Sequence, residues 1–454
     1  MTAVALPLRH PDDQSRALMT HRAWWLLAVN FLVPGSAQVL AGNRRLGRLG
    51  LGFTLGLWIA LLVGVLLFFV FPTALYTLVT VDLSMLALQV ALVVYGVVWL
   101  VLTLDTLRLI RVIRVWPRAR GLLACAAAVL MVVSVGTTGY GTYLLGVSRG
   151  TLSSIFGDGQ VVQPVNGHYN IMLLGGDAGP DRSGLRPDSV SVVSIDASSG
   201  KAAIIGVTRE FVDIPFPEGS PMRRLYPDGY NKDNCAVDVC KLNSVYTEVQ
   251  LKHPDLYPDA AAKGSEPGIE ATRDAVEGIL GLPIQYYALI DMEGFAQLIN
   301  ALGGIDIDYV ANKPLPLGGL PDSHGVMRGV NQWIEPGHWH FNGEQALAYS
   351  RSRYTTSDYD RMARQRQVQE ALLAQFSPAN VLAKFQDIAA AGAQVIKTDV
   401  PQNMLGYFVQ LGLKTKSQPV TPIGLVPPDI DPEKPNYDRV HSLVQKALFP
   451  DSSK

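Results

Sequence analysis

Residues 51–71 and 84–104 are nearly unbroken apolar runs, each long enough to cross a bilayer, and residues 121–147, rich in Ala, Val, Gly and Leu, form a third. Runs this long and this numerous exclude a cleavable signal peptide and require an all-α membrane region. An earlier segment, 23–41, is apolar but broken by Pro34-Gly35-Ser36. Its flanks are basic: Arg9, Arg16 and Arg22 precede it, and Arg44, Arg45 and Arg48 follow it. The link from Phe71 to Leu83 has neither Lys nor Arg, whereas Asp105 to Arg120 carries Arg108, Arg111, Arg114, Arg118 and Arg120. If both basic flanks are cytoplasmic, segment 23–41 re-enters or lies in the interface and three segments span. If it spans, the N-terminus is outside and four segments cross. Either way everything after residue 147 is expected outside the cell, as one domain on a multi-pass anchor in the cell membrane. The expected division is a cytoplasmic segment 1–22, a membrane region 23–147, a tether 148–168, an α/β domain 169–415, and a Pro-rich tail 416–454 with a short terminal helix.

The outer part alternates strands and helices. Asn170–Gly176 reads as a buried strand ending in a glycine turn, and 189–196 with 201–209 as a hairpin. A helix opens at Lys241-Leu242-Asn243, another covers 269–280, and strand 286–291, helix 293–302 and strand 305–310 make a further unit. Helices over 361–376, 378–392 and 401–412 complete an α/β sandwich with a mixed sheet. Cys125 lies in a membrane segment and acts as a small apolar residue. Cys235 and Cys240 lie outside, where a local disulfide is expected, with a two-Cys metal site as its rival. His338 and His340 flank Trp339 without a carboxylate cluster at metal spacing, so a turn is expected there, and His324 adds nothing to it.

Chemistry gathers at the predicted ends of these elements. Arg351 and Arg353, two apart, face one side of an extended segment. Ser357 and Asp360 form a capping box, and Arg361, Arg364 and Gln365 then share one helix face that continues as Val368, Leu372 and Phe376. The cations therefore stand where an apolar stripe begins, beside a helix N-terminus, which suits phosphate. Asp177 and Asp188 close the two ends of one loop and can share a hard cation, for which oxygen-only ligands suit Mg2+. With Arg186, Arg209 and Lys241 these residues are the parts needed for pyrophosphate chemistry, in which positioning and charge neutralisation dominate. No P-loop and no Gly-x-Ser-x-Gly elbow is present, and a net charge of −1 gives no sign of a nucleic-acid partner.

In Asn170-Ile-Met-Leu-Leu-Gly-Gly-Asp177, Arg186-Pro-Asp188, Gly206-Val-Thr-Arg209-Glu210, Lys241-Leu-Asn243, Gly303-Gly304-Ile-Asp306, Gly343 through Arg353 and Asp358 through Gln365, the outer domain resembles the LytR-CpsA-Psr family of cell-wall enzymes. The resemblance implies a phosphotransferase that moves a glycopolymer from a polyprenyl-pyrophosphate carrier to peptidoglycan and releases polyprenyl phosphate. It implies that Asp177 and Asp188 hold magnesium on the pyrophosphate. Arg186, Arg209, Lys241, Arg351, Arg353 and Arg361 would contact the phosphates, with Gln365 beside them; Asp177, Asp188, Arg209 and Arg353 would be the catalytic set. It also implies an apolar groove for the lipid between sheet and helices. Departures are Glu210 where an Asp is usual, Arg182 later in its loop than the family's Arg, and no extra domain after the core. The alternatives are hydrolysis of the lipid pyrophosphate and a wall scaffold that binds lipid phosphate without turnover.

Overall fold

The apolar runs form helices in a unit of their own. A computed structural model of the chain comprises two units, Met1–Gly150 and Thr151–Lys454, and describes residues 9, 11, 12, 14–157, 159–176, 187–321, 326–352, 357–375 and 396–450, with backbone alone for Asp188, Glu293, Leu320 and Pro321. The first unit contains α1 (Arg16–Leu32), α2 (Ser36–Ala41), α3 (Arg44–Val70), α4 (Pro72–Thr80), α5 (Asp82–Ile110) and the start of α6 (Pro117–Ile155). Of these, α3, α5 and α6 are long and apolar enough to cross a membrane.

The first apolar segment doubles back. Helix α1 stops at Leu32, and Gly35, at φ 99°, turns the chain into α2. A Cβ at Gly35 would lie 2.5 Å from the Leu51 nitrogen, so only glycine lets the turn rest on α3. Side-chain bonds to α5 trace the path. Arg22 Nη1 donates to the Leu109 carbonyl at 3.0 Å and Asn30 Nδ2 to Thr103 Oγ1 at 3.2 Å. Gln38 Nε2 then donates to Thr106 Oγ1 at 2.9 Å, and Asn43 Nδ2 to Asp105 Oδ2 at 3.2 Å. Contacts thus run along α5 from 109 to 103 and return to 105–106. Segment 23–41 thus forms a hairpin of two helices, it begins at Arg16, and both its basic flanks lie beside the C-terminal end of α5.

In the second unit a mixed sheet carries the fold. Its strands are β1 (His168–Gly176), β2 (Pro187–Asp196), β3 (Ala202–Val207), β4 (Tyr286–Asp291), β9 (Ile396–Thr398) and β10 (Thr421–Gly424), in the order β10-β3-β2-β1-β4-β9 among the described residues. The pairs β1–β2, β2–β3 and β4–β9 are antiparallel, and β1–β4 and β10–β3 parallel. Two ribbons, β5 (Ile305–Tyr309) with β8 (Gly337–Phe341) and β6 (Leu315–Pro321) with β7 (Met327–Ile334), stand apart from it. The helices are α7 (Pro221–Leu225), α8 (Leu242–Lys252), α9 (Pro267–Leu280), α10 (Met292–Leu302), α11 (Gly343–Arg351), α12 (Asp358–Gln375), α13 (Leu405–Lys416) and α14 (Tyr437–Leu448).

Side chains alternate across the strands and so build two cores. Met172, Leu174, Val192 and Ile205 pack with α8, α9 and α14 on one face. Tyr169, Val193, Ile195 and Ile204 pack with α13 on the other. A third cluster joins α10, α11 and α12 to the ribbons through Ile299, Phe341, Tyr349 and Val368.

Several expectations change. His338 and His340 lie in strand β8, paired with Asp308 and Asp306, and not in a turn, because alternation puts both rings on one exposed face of the ribbon. The expected tether is not free: α6 continues to Ile155, and Val162 N donates to Tyr286 Oη at 2.8 Å. The Pro-rich tail contributes β10 to the sheet, while Val440 and Val444 of α14 enter the main core. Strand β5 follows α10 as expected yet pairs with β8 instead of joining the main sheet. Helix 378–392, Phe376, Asp181, Arg182 and His324 lie outside the described residues.

Helix α9 holds half-buried carboxylates beside the main core. Burial, with Asp274 and Glu270 nearby, pushes the Glu277 carboxyl up to about 7, although its Oε1 accepts from Ile284 N at 2.6 Å. A carboxyl raised on folding stabilises below its unfolded value near 4.5 and loses that contribution as pH climbs to about 7. Glu277→Gln is therefore expected to match wild type near pH 4 and exceed it at pH 8 by up to about 3 kcal/mol, measured by urea denaturation.

Candidate functional site

The ends of β1, β3, β4 and β10 and the start of β2 meet at one edge of the sheet, where open α/β folds bind ligands. Gly176 pairs with Pro187 across β1–β2, after a register shift, and with Asp291 across β1–β4. The residues that directly precede Asp177 and Asp188 are thus neighbours. Asp177, Arg186 and Arg353 lie outside the described residues, as does the side chain of Asp188. No group of three or more His, Cys, Asp or Glu able to hold a metal occurs among the described residues. Asp291, a carboxylate at this edge not singled out from sequence, is the N-cap of α10 and accepts from Gly294 N at 2.7 Å.

Arg209 and Lys241 come together through Glu210. The Lys241 Nζ lies 2.5 Å from Glu210 Oε2, and Arg209 Nε 3.2 Å from Oε1. Burial works to raise the Glu210 carboxyl, but Lys241 and Arg209 outweigh it and hold the group below its ordinary value. Backbone bonds seat α8 on this turn, Leu242 N to the Phe211 carbonyl at 3.1 Å and Asn243 N to that of Arg209 at 3.4 Å. A Cys235–Cys240 disulfide, with Cα atoms 5.9 Å apart, closes the loop just before Lys241, and the two-Cys metal alternative falls. Glu210 thus positions two cations side by side; the longer carboxylate reaches both.

Helix α12 supplies the opposite wall. Ser357 and Asp360 form the expected capping box, Ser357 N to Asp360 Oδ2 at 2.8 Å and Asp360 N to Ser357 Oγ at 3.1 Å. Arg361, Arg364 and Val368 are buried, so the stripe faces inward as its spacing requires. The two arginines differ in role. Arg361 lines the site and meets Asp358 at 3.1 Å. Arg364 turns to the end of α11, donating to the carbonyls of Tyr349, at 3.1 Å, and Ser352, and lies over the Tyr349 ring. Arg364 therefore braces the end of α11 and is absent from the lining of the site. Gln365 accepts from Ser189 Oγ at 3.1 Å and donates to the Ser350 carbonyl at 3.4 Å, tying sheet, α11 and α12 together. Arg351 is the last residue of α11 and exposed, so it is itself helical and not extended. The helix-forming run Glu344–Tyr349 overrides the period-two spacing.

Beside α12 lies a groove of about 320 Å3, walled by β1, β4, α10, α11 and α12. Leu173, Ile290, Phe295, Leu298, Leu347 and Leu372 line its body; Ser189, Ser350, Arg351, Arg361 and Gln365 line its polar part. A smaller crevice beside it shares Ser189, Arg361 and Gln365 and adds Arg209 and Arg366. Arg366 and Gln369, which donates to Ser191 Oγ at 2.9 Å, were not singled out from sequence. Gln369 repeats Gln365 one turn later, and that spacing was the available signal. The arrangement offers an apolar slot for a long chain and a cationic end for a phosphorylated head.

The profile of the LytR_cpsA_psr family matches residues 149–424. The chain is 29% identical over 203 residues to polyisoprenyl-teichoic acid–peptidoglycan teichoic acid transferase TagV of Bacillus subtilis, covering 42% of this chain and 50% of that protein. It is 29% identical over 238 residues to TagU of Enterococcus faecalis, covering 51% and 61%. The chain thus spans about half to three-fifths of the length of these relatives. The crystal structure of B. subtilis TagV matches at 22% identity and a TM-score of 0.42, covering 62% of this chain and 97% of that one.

Two variants separate ligand contact from scaffold. Arg351→Gln is expected to weaken binding of inorganic pyrophosphate about tenfold by calorimetry, with melting unchanged. Arg364→Gln leaves buried carbonyls unmet and should lower the melting temperature by about 6–10 °C.

Proposed function

The chain belongs to the LytR-CpsA-Psr family, and on that premise we propose that it transfers a glycopolymer from a polyprenyl-pyrophosphate carrier to peptidoglycan. The observation that carries this reading is one groove with apolar walls and a cationic end, joined through Arg361 and Gln365. A polyprenyl chain gains from leaving water along Leu173, Phe295 and Leu298, and that gain fixes where its pyrophosphate stops. The printed names of the relatives, transferases of polyisoprenyl-linked teichoic acid, support the same class of donor and acceptor.

In the proposed reaction a hydroxyl oxygen of the peptidoglycan sugar attacks the phosphorus that carries the glycopolymer. A new P–O bond forms, the bond to the bridging oxygen breaks, the hydroxyl proton passes to a carboxylate at the strand edge, and polyprenyl phosphate leaves with the electron pair. Arg209 and Lys241, aligned by Glu210, and Arg351 and Arg361 at the polar end of the groove neutralise charge on the phosphates; Arg186 and Arg353 join them by their sequence positions. Asp177 and Asp188, following the paired residues Gly176 and Pro187, supply the hard oxygen donors that suit Mg2+. Bound there, magnesium would offset the pyrophosphate charge.

We place the second unit outside the cell. Three crossing helices, with the α1–α2 hairpin returning to its own side, leave the arginine-rich end of the first unit in the cytoplasm by the positive-inside rule.

The test combines the full-length protein in detergent, a synthetic polyprenyl-pyrophosphate glycan and peptidoglycan oligomers. Sugar-phosphate linkage to the oligomer is expected with Mg2+, with a loss of roughly a hundredfold or more in Asp188→Ala and Arg353→Ala and on chelation. Release of lipid phosphate without a linked product would establish hydrolysis. Binding with no turnover under any metal would establish a scaffold.

A further inference from the structure

The first unit lies almost wholly outside the family match, which begins at residue 149, so the family says little of what it binds. Anchoring alone needs one crossing helix. Here a hairpin is added, and it holds the loop between α5 and α6 in place. Trp116 N donates to Thr20 Oγ1 of α1 at 3.2 Å, while Arg22 of α1 holds the Leu109 carbonyl at the end of α5. Arg120 closes the loop from the other side, Nε to the Val115 carbonyl at 3.1 Å and Nη2 to that of Ile113 at 2.5 Å. Val115 is fully buried against Ala23 and Leu26.

With its inner side pinned, the loop presents a defined outer side. Ile113 is 83% exposed and Trp116 51% exposed, and the exposed residues Arg111, Arg114 and Arg118 alternate with them. The positive-inside rule asks only for charge, which any loose loop supplies. It does not ask for an apolar pair held outward between guanidinium groups by four polar contacts and a buried valine. Apolar tips beside arginines fit the boundary between acyl chains and phosphates, and guanidinium forks match phosphodiester oxygens.

We propose that the Arg111–Arg118 loop is a platform for the headgroup of an anionic phospholipid in the leaflet at this end of the unit. The proposal rests on the reading of the first unit as membrane-embedded. It does not depend on the transfer reaction.

The full chain, reconstituted in nanodiscs of phosphatidylcholine with added phosphatidylglycerol, is the system to test. Lipids retained after transfer to detergent are counted by native mass spectrometry. Wild type is expected to retain phosphatidylglycerol over phosphatidylcholine. The triple variant Arg111→Gln, Arg114→Gln, Arg118→Gln should lose apparent affinity by roughly two orders of magnitude. A control with Arg44, Arg45 and Arg48 changed to Gln removes equal charge from the same end and should stay within about tenfold of wild type. Trp116→Ala, with every arginine intact, should weaken retention while keeping the preference, which covers failure of the triple variant to fold. Equal losses in the two triples, or no lipid preference in wild type, would overturn the proposal. A chain that does not enter the discs would overturn the membrane reading instead.

Discussion

Two guanidinium groups on one face of α12 are held out of water, and the geometry of the strand edge depends on how they are satisfied. A buried cation without partners destabilises a fold by several kcal/mol. Arg364 meets this by taking the last carbonyls of α11, those of Tyr349 and Ser352. Helix C-termini leave such carbonyls unpaired and carry partial negative charge, so cation and helix end answer each other. The bond fixes where α11 stops, and α11 ends on Arg351. The buried arginine absent from the groove's lining thus sets the position of the exposed one that lines it.

Gln365 extends this bracing to the sheet. Through Ser189 and the Ser350 carbonyl it joins β2, α11 and α12 at the point where groove and crevice meet. Glu210 acts similarly beside the crevice by aligning Arg209 and Lys241. Both devices place cations before a ligand arrives, which is the condition under which electrostatic stabilisation of a transferring phosphoryl group is largest. The apolar body of the groove adds a second effect. A chain lying in it excludes water from the cationic end, and charge interactions strengthen as the local dielectric falls.

Much of this was legible in the sequence where one local rule governed. The capping box at Ser357–Asp360, the inward stripe of Arg361, Arg364 and Val368, the β2–β3 hairpin and the disulfide each follow from spacing a few residues apart. What local spacing could not separate was the division of labour between Arg361 and Arg364. Both sit on the buried face, and only the end of α11 decides which is structural. The same limit applies to Arg351, where helix propensity competed with alternation, and to His338 and His340, whose partners Asp308 and Asp306 are some thirty residues away. Strand β10 was hidden for a related reason. Its four residues include Pro422, and only an edge position, parallel to β3, lets a proline join a sheet.

The first unit shows two independent causes acting on one choice. Pro34 and Gly35 break the first apolar segment, and the polar pairs Asn30–Thr103 and Gln38–Thr106 draw its two halves onto the same stretch of α5. Polar side chains in hydrocarbon gain most by pairing with one another, so these contacts favour the doubled-back path over a straight crossing. Charge favours the same path. A straight crossing would separate Arg16 and Arg22 from Arg44, Arg45 and Arg48 by a full membrane, against the bias that keeps arginines on one side. Had the two causes conflicted, the number of crossings would have turned on small energies. Because they agree, the hairpin closes on its own side, and both sets of arginines stay beside the same end of α5.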